Sequence, residues 1–246
     1  MIVLACETST LLGSVALLED GRILAVEESM RQGSHSDVLH PFIQKVLDQA
    51  GKKLADVDLF ATGIGPGSFT GIRISLNTVK TLAYCHLKPV YTMNSLESLA
   101  QAAQQVVAKA NFTNEFNDLP IISMINAYKN MCYVSLFKQQ NGLLSEVSAP
   151  EVVRVQNLDQ FVQKKSLVCG DGFSTYERFF PQSLSEKLVR VAGVSDEPHA
   201  LTLAQKAFVQ PRQPNSIVSW NELLPLYLRA SEAEENLKGI KYQPLN

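Results

Sequence analysis

The chain has little of what marks several classes of protein. Its 246 residues include only four cysteines and one tryptophan, and its 22 basic residues nearly balance its 24 acidic ones. No apolar run approaches the roughly 20 residues that a membrane helix requires, and Met1 to Glu7 lacks the basic start of a secretion signal. The cysteines form no C-x-x-C pair, which indicates free thiols in a reducing compartment. We therefore expect a globular cytoplasmic protein with no membrane and no strong nucleic-acid surface of its own.

Short apolar segments at the start of the chain predict a sheet. Ile2 to Cys6 and Ser14 to Leu18 are typical of buried strands. Asp20-Gly21 is a hairpin signal, because both central positions of that turn need positive φ. Alternating strand and helix patterns then favour a partly parallel sheet. The helical segments predicted in this half are 34–51, 70–85 and 95–109, and the strands between them are 58–62 and 88–93.

The second half of the chain resembles the first. Ile121 stands 119 residues after Ile2, and the same offset places Asn126 opposite Glu7. Apolar strands match easily by chance, so both a duplication and a coincidence stay open on this observation. The domain organisation that we predict is a first lobe at 1–110 that carries partner-binding helices, a second lobe at 111–230, and a flexible tail at 231–246.

A glycine-rich segment between Gly63 and Gly71 precedes the second predicted helix. It is neither a Walker A loop, since no Lys-Ser or Lys-Thr follows, nor a Rossmann fingerprint, since the third glycine is misplaced. Backbone N–H groups at the start of a helix are able to bind an anion. Glycines also allow a tight turn and a close approach of two backbones. Both interpretations stay open.

Other candidate sites are weaker. Glu7 to Thr10 is an acidic residue followed by a hydroxyl-rich turn. In actin-like ATPases such a motif binds phosphate and metal. The residue that matches Glu7 in the second half, however, is the neutral Asn126. His35 and His40 are five residues apart and do not share a helix face, which argues against a metal pair. No serine lies in a G-x-S-x-G elbow.

Five motifs in order over nearly the whole chain carry a resemblance to a known family. They are Glu7-Thr-Ser-Thr10, His35-Ser36, Gly65-Pro-Gly-Ser-Phe-Thr-Gly-Ile-Arg73, Asn126-Ala127 and Pro225-Leu-Tyr-Leu-Arg229. In these motifs the chain resembles the bacterial TsaB (YeaZ) family, the dimerisation subunit of the tRNA threonylcarbamoyladenosine biosynthesis complex. It departs from the family pattern at Glu7, where the family usually has Asp, and at Asn126-Ala127-Tyr128, where the family has Asp-Ala-Arg.

The resemblance implies an α/β protein with an actin-like (ASKHA) duplicated fold, in which each lobe has a mixed sheet flanked by helices. It also implies a paralogous transferase, TsaD, as partner. The His-x-Glu-x-His metal motif of that transferase aligns with Ser95, Glu97 and Leu99, and neither a hydroxyl nor a Leu side chain replaces an imidazole. The resemblance therefore implies a non-catalytic scaffold with no metal site of its own.

Further partners follow from the same resemblance. It implies a TsaE-type ATPase as third member of the complex, a homodimer when the chain is alone, and tRNA reached only through the complex. No cofactor is expected to bind tightly, and ATP and Mg²⁺ are expected only as ligands of the assembled complex.

The resemblance also implies two sets of site residues. The partner surface is expected to comprise His35, Leu39, Phe42, Ile43, Phe69, Thr70, Arg73, Leu76, Val79 and Lys80. A vestigial phosphate loop is expected to comprise Glu7, Thr8, Ser9, Gly65, Gly67 and Ser68.

Two other functions remain as alternatives. One is an actin-like kinase or ATPase in its own right, which magnesium-dependent turnover by the purified chain would favour. The other is a metallopeptidase-like glycoprotease, which requires a bound metal or a nucleophile constellation.

Overall fold

A computed structural model describes residues 1–30, 35–109, 116, 118–140, 143–190, 192–209 and 216–237. The chain divides into two compact units. The first consists of Met1–Ser98 and Pro198–Leu226, and the second of Leu99–Glu197 and Tyr227–Asn246.

The first unit contains a six-stranded mixed sheet. Its strands are β1 (Ile2–Glu7), β2 (Leu12–Glu19), β3 (Arg22–Met30), β4 (Leu59–Gly63), β5 (Val90–Met93) and β11 (Ile217–Val218). Their order is β11-β5-β4-β1-β2-β3, with β1 parallel to β4 and antiparallel to β2. Asp20 and Gly21 have φ of 50° and 79°, so the predicted hairpin turn is confirmed.

Helices cover both faces of this sheet. They are α1 (Ser36–Ala50), α2 (Phe69–His86), the start of α3 (Ser95–Lys109) and α7 (Ala200–Val209), with a 3₁₀ turn at Leu54–Asp56. The crossovers from β3 through α1 to β4 and from β4 through α2 to β5 run in the same direction across the sheet, so right-handed connection places α1 and α2 on one face. Helix α7 packs against β1, β2 and β4. The apolar cluster that includes α7 contains Val3, Ala5, Ala16, Leu18, Leu59, Ala61, Tyr91, Met93, Ala200, Leu203, Ala204 and Ala207.

The ends of α1 and α2 follow from local sequence. Helix α1 begins at Ser36 and contains Pro41 in its interior. It ends at Gly51, whose φ of 62° suits the left-handed cap. Helix α2 begins after Ser68, whose hydroxyl accepts a hydrogen bond from the Gly71 N–H.

The second unit contains a five-stranded mixed sheet. Its strands are β6 (Ile121–Asn126), β7 (Met131–Gln140), β8 (Leu143–Arg154), β9 (Ser166–Cys169) and β10 (Leu188–Arg190), in the order β10-β9-β6-β7-β8. Its helices are the remainder of α3, α4 (Leu158–Phe161), α5 (Asp171–Tyr176), α6 (Gln182–Ser185) and α8 (Glu232–Leu237), with 3₁₀ turns at Val155–Asn157 and Glu177–Phe179. Buried residues of β6, β7, β9 and the short helices form its core.

The two sheets share one topology. Each has three consecutive antiparallel strands, followed by two strands that add in parallel on the other side of the first, and the first sheet also has β11 at its edge, antiparallel to β5. Strands β6 and β7 begin 119 residues after β1 and β2, which is the offset seen in the sequence. The duplication and the actin-like fold class are therefore confirmed.

The division into units differs from the linear one that we expected. Pro198–Leu226 returns to the first unit, because α7 covers an apolar face of the first sheet. The chain passes between units within α3, after Ser98. The expected boundary at 110–111 lies outside the described residues.

The start of the segment expected to be a flexible tail, 231–246, is helical. Residues 232–237 form α8, and Glu235 is buried. Residues 238–246 of the expected tail lie outside the described residues.

All four cysteines are free thiols, and only Cys85 is exposed. Burial raises the pKa of Cys6 and of Cys169 to about 12, so both stay protonated and serve packing. Within the ranges given above, no helix has both the length and the apolar character to cross a bilayer.

Candidate functional site

Each sheet has one topological switch point, where successive strands turn from one side of the sheet to the other. In the first sheet it lies between β1 and β4, and in the second between β6 and β9. Open α/β sheets bind ligands outside the carboxyl ends of the strands at such a point. The first switch point holds the turn Glu7 to Thr10 and the glycine loop, and the second holds Asn126 and Asp171.

Glu7 fills the first switch point. Its side chain is fully buried, and its Oε1 accepts a hydrogen bond from the Ser9 N–H at 2.8 Å. Its Oε2 has no hydrogen-bond partner within the described part of the chain. Burial raises the pKa of this carboxyl, and hydrogen bonds from Ser9 and Thr8 oppose that rise. A Cβ at Gly63 would lie 1.8 Å from Oε2, so Gly63 provides the space that the carboxyl occupies.

The glycine loop packs directly on the backbone of the turn at 7–10. A Cβ at Gly67 would lie 2.2 Å from the Ser9 carbonyl oxygen, and one at Gly71 would lie 2.0 Å from that of Thr8. The Ser68 N–H donates to the Ser9 carbonyl at 2.7 Å. The Thr8 hydroxyl donates to the Gly71 carbonyl at 2.7 Å. These contacts favour the close-approach interpretation of the glycines, because the Ser9 carbonyl takes up the Ser68 N–H, which a phosphate would use.

The loop is also tied to the start of α3. The Ser95 N–H donates to the Gly65 carbonyl at 2.8 Å, and the Ser95 and Ser9 hydroxyl oxygens are 2.9 Å apart. Ser95 and Leu99, the two positions aligned with imidazole ligands, are both buried. Among the described residues, no three His, Cys, Asp or Glu side chains are grouped so that they could hold a metal ion.

Several residues expected on the partner surface lie in the core of the first unit. Leu39, Ile43, Leu76 and Val79 are 1%, 5%, 4% and 0% exposed. These positions therefore have to be removed from the expected surface, because each helix turns its main apolar stripe toward the sheet.

His35 is also buried, and its contacts explain why. Its Nε2 lies 2.8 Å from the Thr10 carbonyl oxygen. A Cβ at Gly13 would lie 2.6 Å from its Nδ1, so the ring occupies the space next to that glycine. His35 holds the β1–β2 turn and is not a surface residue in this structure.

The other expected surface residues reach solvent. Thr70 and Arg73 are exposed, and Phe42, Phe69 and Lys80 are half-buried. The Arg73 guanidinium lies 5.5 Å from the centre of the Phe69 ring. Besides Cys85, the exposed positions of α2 recur every three or four residues and form one stripe, which we call the α2 face: Thr70, Arg73, Asn77, Thr81 and Tyr84.

The second switch point holds a carboxyl that sequence reasoning missed. Asp171 Oδ1 accepts a hydrogen bond from the Asn126 N–H at 2.9 Å. Burial raises the pKa of Asp171 to about 6, and Asp196 adds to the rise. The signal available in the sequence was Gly170-Asp171-Gly172 directly after a strand. A Cβ at Gly170, where φ is 103°, would lie 2.0 Å from the Met124 carbonyl oxygen.

Asn126 organises the turn that follows β6. Its Oδ1 accepts hydrogen bonds from the Tyr128 N–H at 2.8 Å and from the Tyr176 hydroxyl at 3.0 Å. An amide thus takes a structural role at the position that matches Glu7. The fold and the two switch points define the chain as a two-lobed protein of actin-like topology in which the first switch point is packed around the buried carboxyl of Glu7 and the second around the half-buried carboxyl of Asp171.

Comparison with known proteins agrees with this class. The family model described as TsaD, tRNA N6-adenosine threonylcarbamoyltransferase, matches residues 28–237. The tRNA threonylcarbamoyladenosine biosynthesis protein TsaB of Haemophilus influenzae is 30% identical, with 97% of this chain and 98% of the relative covered. TsaB of Escherichia coli is 26% identical, with 97% and 99% covered. The structure of YeaZ from Pseudomonas aeruginosa is similar with a TM-score of 0.73 at 29% identity and covers 92% of this chain and 99% of that one. The chain belongs to the TsaB (YeaZ) family.

Proposed function

We propose that this chain is a non-catalytic scaffold and activator in the formation of threonylcarbamoyladenosine in tRNA, on the adenosine next to the anticodon. The names of its full-length relatives support the pathway. A shorter similarity supports a transferase as partner: the tRNA N6-adenosine threonylcarbamoyltransferase of Agrobacterium fabrum is 42% identical over 71 residues, which are 29% of this chain and 20% of that one.

One observation carries the scaffold role. The glycine loop and the turn at 7–10 are bonded to each other through the Ser68 N–H and the Thr8 hydroxyl. Such a loop fixes the direction in which α2 leaves the sheet. The glycine loop therefore supports the α2 face. Its glycines are explained by these contacts without a role in phosphate binding.

The α2 face is the surface that we assign to the transferase. It carries an exposed cation at Arg73 and an exposed aromatic ring at Tyr84, the residue types that dominate binding energy at interfaces. The same surface on two copies of this chain would give an isologous homodimer when the transferase is absent.

The remaining parts of the proposal concern ligands. A TsaE-type ATPase is the third member, ATP and Mg²⁺ are ligands of the assembled complex, and tRNA is reached through that complex. No cofactor binds this chain tightly. Free thiols at all four cysteines are compatible with a cytoplasmic protein.

Two alternatives remain for this chain. An actin-like kinase would use carboxylates at both switch points, and the second switch point does contain Asp171. That carboxyl, however, is engaged by the Asn126 N–H. A metallopeptidase would need ligands where Ser95 and Leu99 stand.

The test is a reconstituted reaction with purified transferase, ATPase, threonylcarbamoyl adenylate and tRNA. Arg73→Glu/Asn77→Glu replaces one cation and one neutral amide on the α2 face with two carboxylates. Gln163→Glu/Lys164→Glu is the matched control, because it makes the same change in net charge at exposed residues of the second unit. Leu39 and Leu76 are unsuitable for such variants, since charges there would unfold the core.

We expect the α2 variant to lose binding to the transferase and about tenfold or more of product formation, while the control keeps both. Full product formation without this chain would contradict the scaffold role. A folded α2 variant that binds normally would contradict the choice of surface.

A further inference from the structure

The turn between β6 and β7 has an uncommon backbone. Three consecutive residues, Tyr128, Lys129 and Asn130, have φ of 57°, 51° and 62°. Left-handed conformations are unfavourable for a residue with a side chain, because its Cβ lies too close to the following carbonyl oxygen. A run of them persists only where surrounding contacts determine it.

One set of those contacts comes from the end of the chain. An Arg229 guanidinium nitrogen donates to the Ala127 carbonyl. The same guanidinium binds both carboxylate oxygens of Glu235 in α8, with Nη2 at 2.6 and 2.7 Å from them. Lys129 Nζ donates to Glu235 Oε2 at 3.0 Å. Arg229 thus binds the Ala127 carbonyl just before the turn, and Glu235 binds the Lys129 side chain within the turn.

This network is not a surface ion pair. The side chains of Arg229, Glu235 and Lys129 are 12%, 5% and 25% exposed. A buried carboxylate that binds two cations cannot be removed without leaving them uncompensated. A bidentate guanidinium pair also fixes geometry in a way that an ammonium group does not.

The other contacts of the turn come from its own strands and from the segment after β8, where the Val155 N–H donates to the Asn130 carbonyl at 3.0 Å. The Met131 N–H donates to the Tyr128 carbonyl at 3.1 Å, and the Ala127 N–H donates to the Met131 carbonyl at 3.0 Å. These two amides close the turn. Their protection from hydrogen exchange therefore reports its conformation.

We propose that Arg229 and Glu235 form a latch through which residues 227–237 set the conformation of the turn at 127–130. The latch holds Tyr128 outward, where its side chain is exposed, at the carboxyl end of β6. It also gives a role to Arg229 in Pro225-Leu-Tyr-Leu-Arg229, which the proposed function leaves unused. Any partner that draws α8 away releases the turn, so the C-terminal segment acts as a conformational control.

The test is amide hydrogen exchange on the full-length chain, followed by mass spectrometry or NMR. The variants are Glu235→Gln, which removes the charge, and Arg229→Lys, which removes the bidentate geometry. Glu234→Gln is the matched control in the same helix, because Glu234 is exposed and binds Ser231. We expect exchange at Ala127 and Met131 to accelerate about tenfold in both variants and to stay unchanged in the control.

Amides of β9, which lies in the same unit as the turn, serve as an internal reference for the stability of that unit. Unchanged exchange at Ala127 and Met131 in either folded variant would overturn the latch. Equal acceleration in β9 would also overturn it, because that pattern indicates general destabilisation of the unit. If Glu235→Gln does not fold, Arg229→Lys alone decides between these outcomes.

Discussion

The two switch points have the same topology but place their carboxyl on different strands. In the first unit the carboxyl is Glu7, at the end of β1, and the residue at the end of β4 is Gly63. In the second unit the end of β6 carries Asn126, and the carboxyl is Asp171, after β9. Each carboxyl accepts a hydrogen bond from the backbone of the turn after the first strand or from the end of that strand.

The difference shows that the carboxyl at a switch point can come from either of the two parallel strands that border it. Where β4 ends in glycine, a long side chain from β1 has room. Where the first strand ends in an amide that binds its own turn, the acid comes from the other strand. Both carboxyls have pKa values raised chiefly by burial, as expected for groups that serve packing without a paired cation.

The variant expected to destabilise the first switch point most is Gly63→Ala. The new Cβ would overlap Glu7 Oε2, so we expect a loss of about 3 kcal/mol or more in the free energy of unfolding. Urea unfolding of the full chain measures it. The control is Gly51→Ala, where no atom lies within 4 Å of the added Cβ and only the φ of 62° opposes it. That control should lose about 1–2 kcal/mol.

A double variant tests the cause of this loss. Glu7→Ala/Gly63→Ala removes the overlapping carboxyl, so its loss should be clearly smaller than the sum of the two single losses. Additive losses would mean that Gly63 is required for some other reason than the space it gives to Glu7.

The second switch point is best tested through pH. The pKa of Asp171 is raised from 3.8 to about 6, so between these values the folded chain binds more protons than the unfolded chain. Stability from this group is full below pH 4 and is lost as pH rises to about 6, by up to about 3 kcal/mol. Asp171→Asn cannot titrate. Its stability relative to wild type should therefore increase between pH 4 and pH 7, as followed by urea unfolding, and an unchanged difference would show that Asp171 titrates normally.

The smallest expected effect on stability concerns the N-terminal caps of α2 and α5. Ser68 caps α2 with its hydroxyl, whereas Gly170 precedes α5 and offers no side chain. Ser68→Ala should cost about 1 kcal/mol in thermal or urea unfolding. Thr81→Ala, at an exposed position within α2, should cost nothing comparable, because alanine favours a helix interior. Equal losses in the two variants would show that the cap contributes no specific stability.

Much of the fold was predictable because it depends on local patterns. Apolar runs and the Asp20-Gly21 turn predicted the first strands, and the 119-residue offset left a duplication open that the second sheet confirms. The return of α7 to the first sheet was not predictable, since its apolar residues would suit either core. The ends of helices were set within one or two residues, as for α2.

The site was less predictable than the fold. Leu39, Ile43, Leu76 and Val79 have the spacing of an apolar stripe, but spacing does not say whether a stripe faces the core or a partner. Asp171 reaches Asn126 only because β9 pairs with β6, and a contact across 45 residues leaves no local signal. The glycine loop was correctly placed before a helix, yet its contacts with Thr8 and Ser9 required the structure.

We propose that Glu7 supports the first switch point and takes no part in chemistry. The direct test is threonylcarbamoyladenosine formation by the reconstituted system with Glu7→Gln, which keeps the shape and the Ser9 hydrogen bond but removes the acid. We expect product formation within about twofold of wild type, with normal binding to the transferase. A loss of about tenfold or more in a folded variant that still binds would contradict it and favour an active phosphoryl-transfer site.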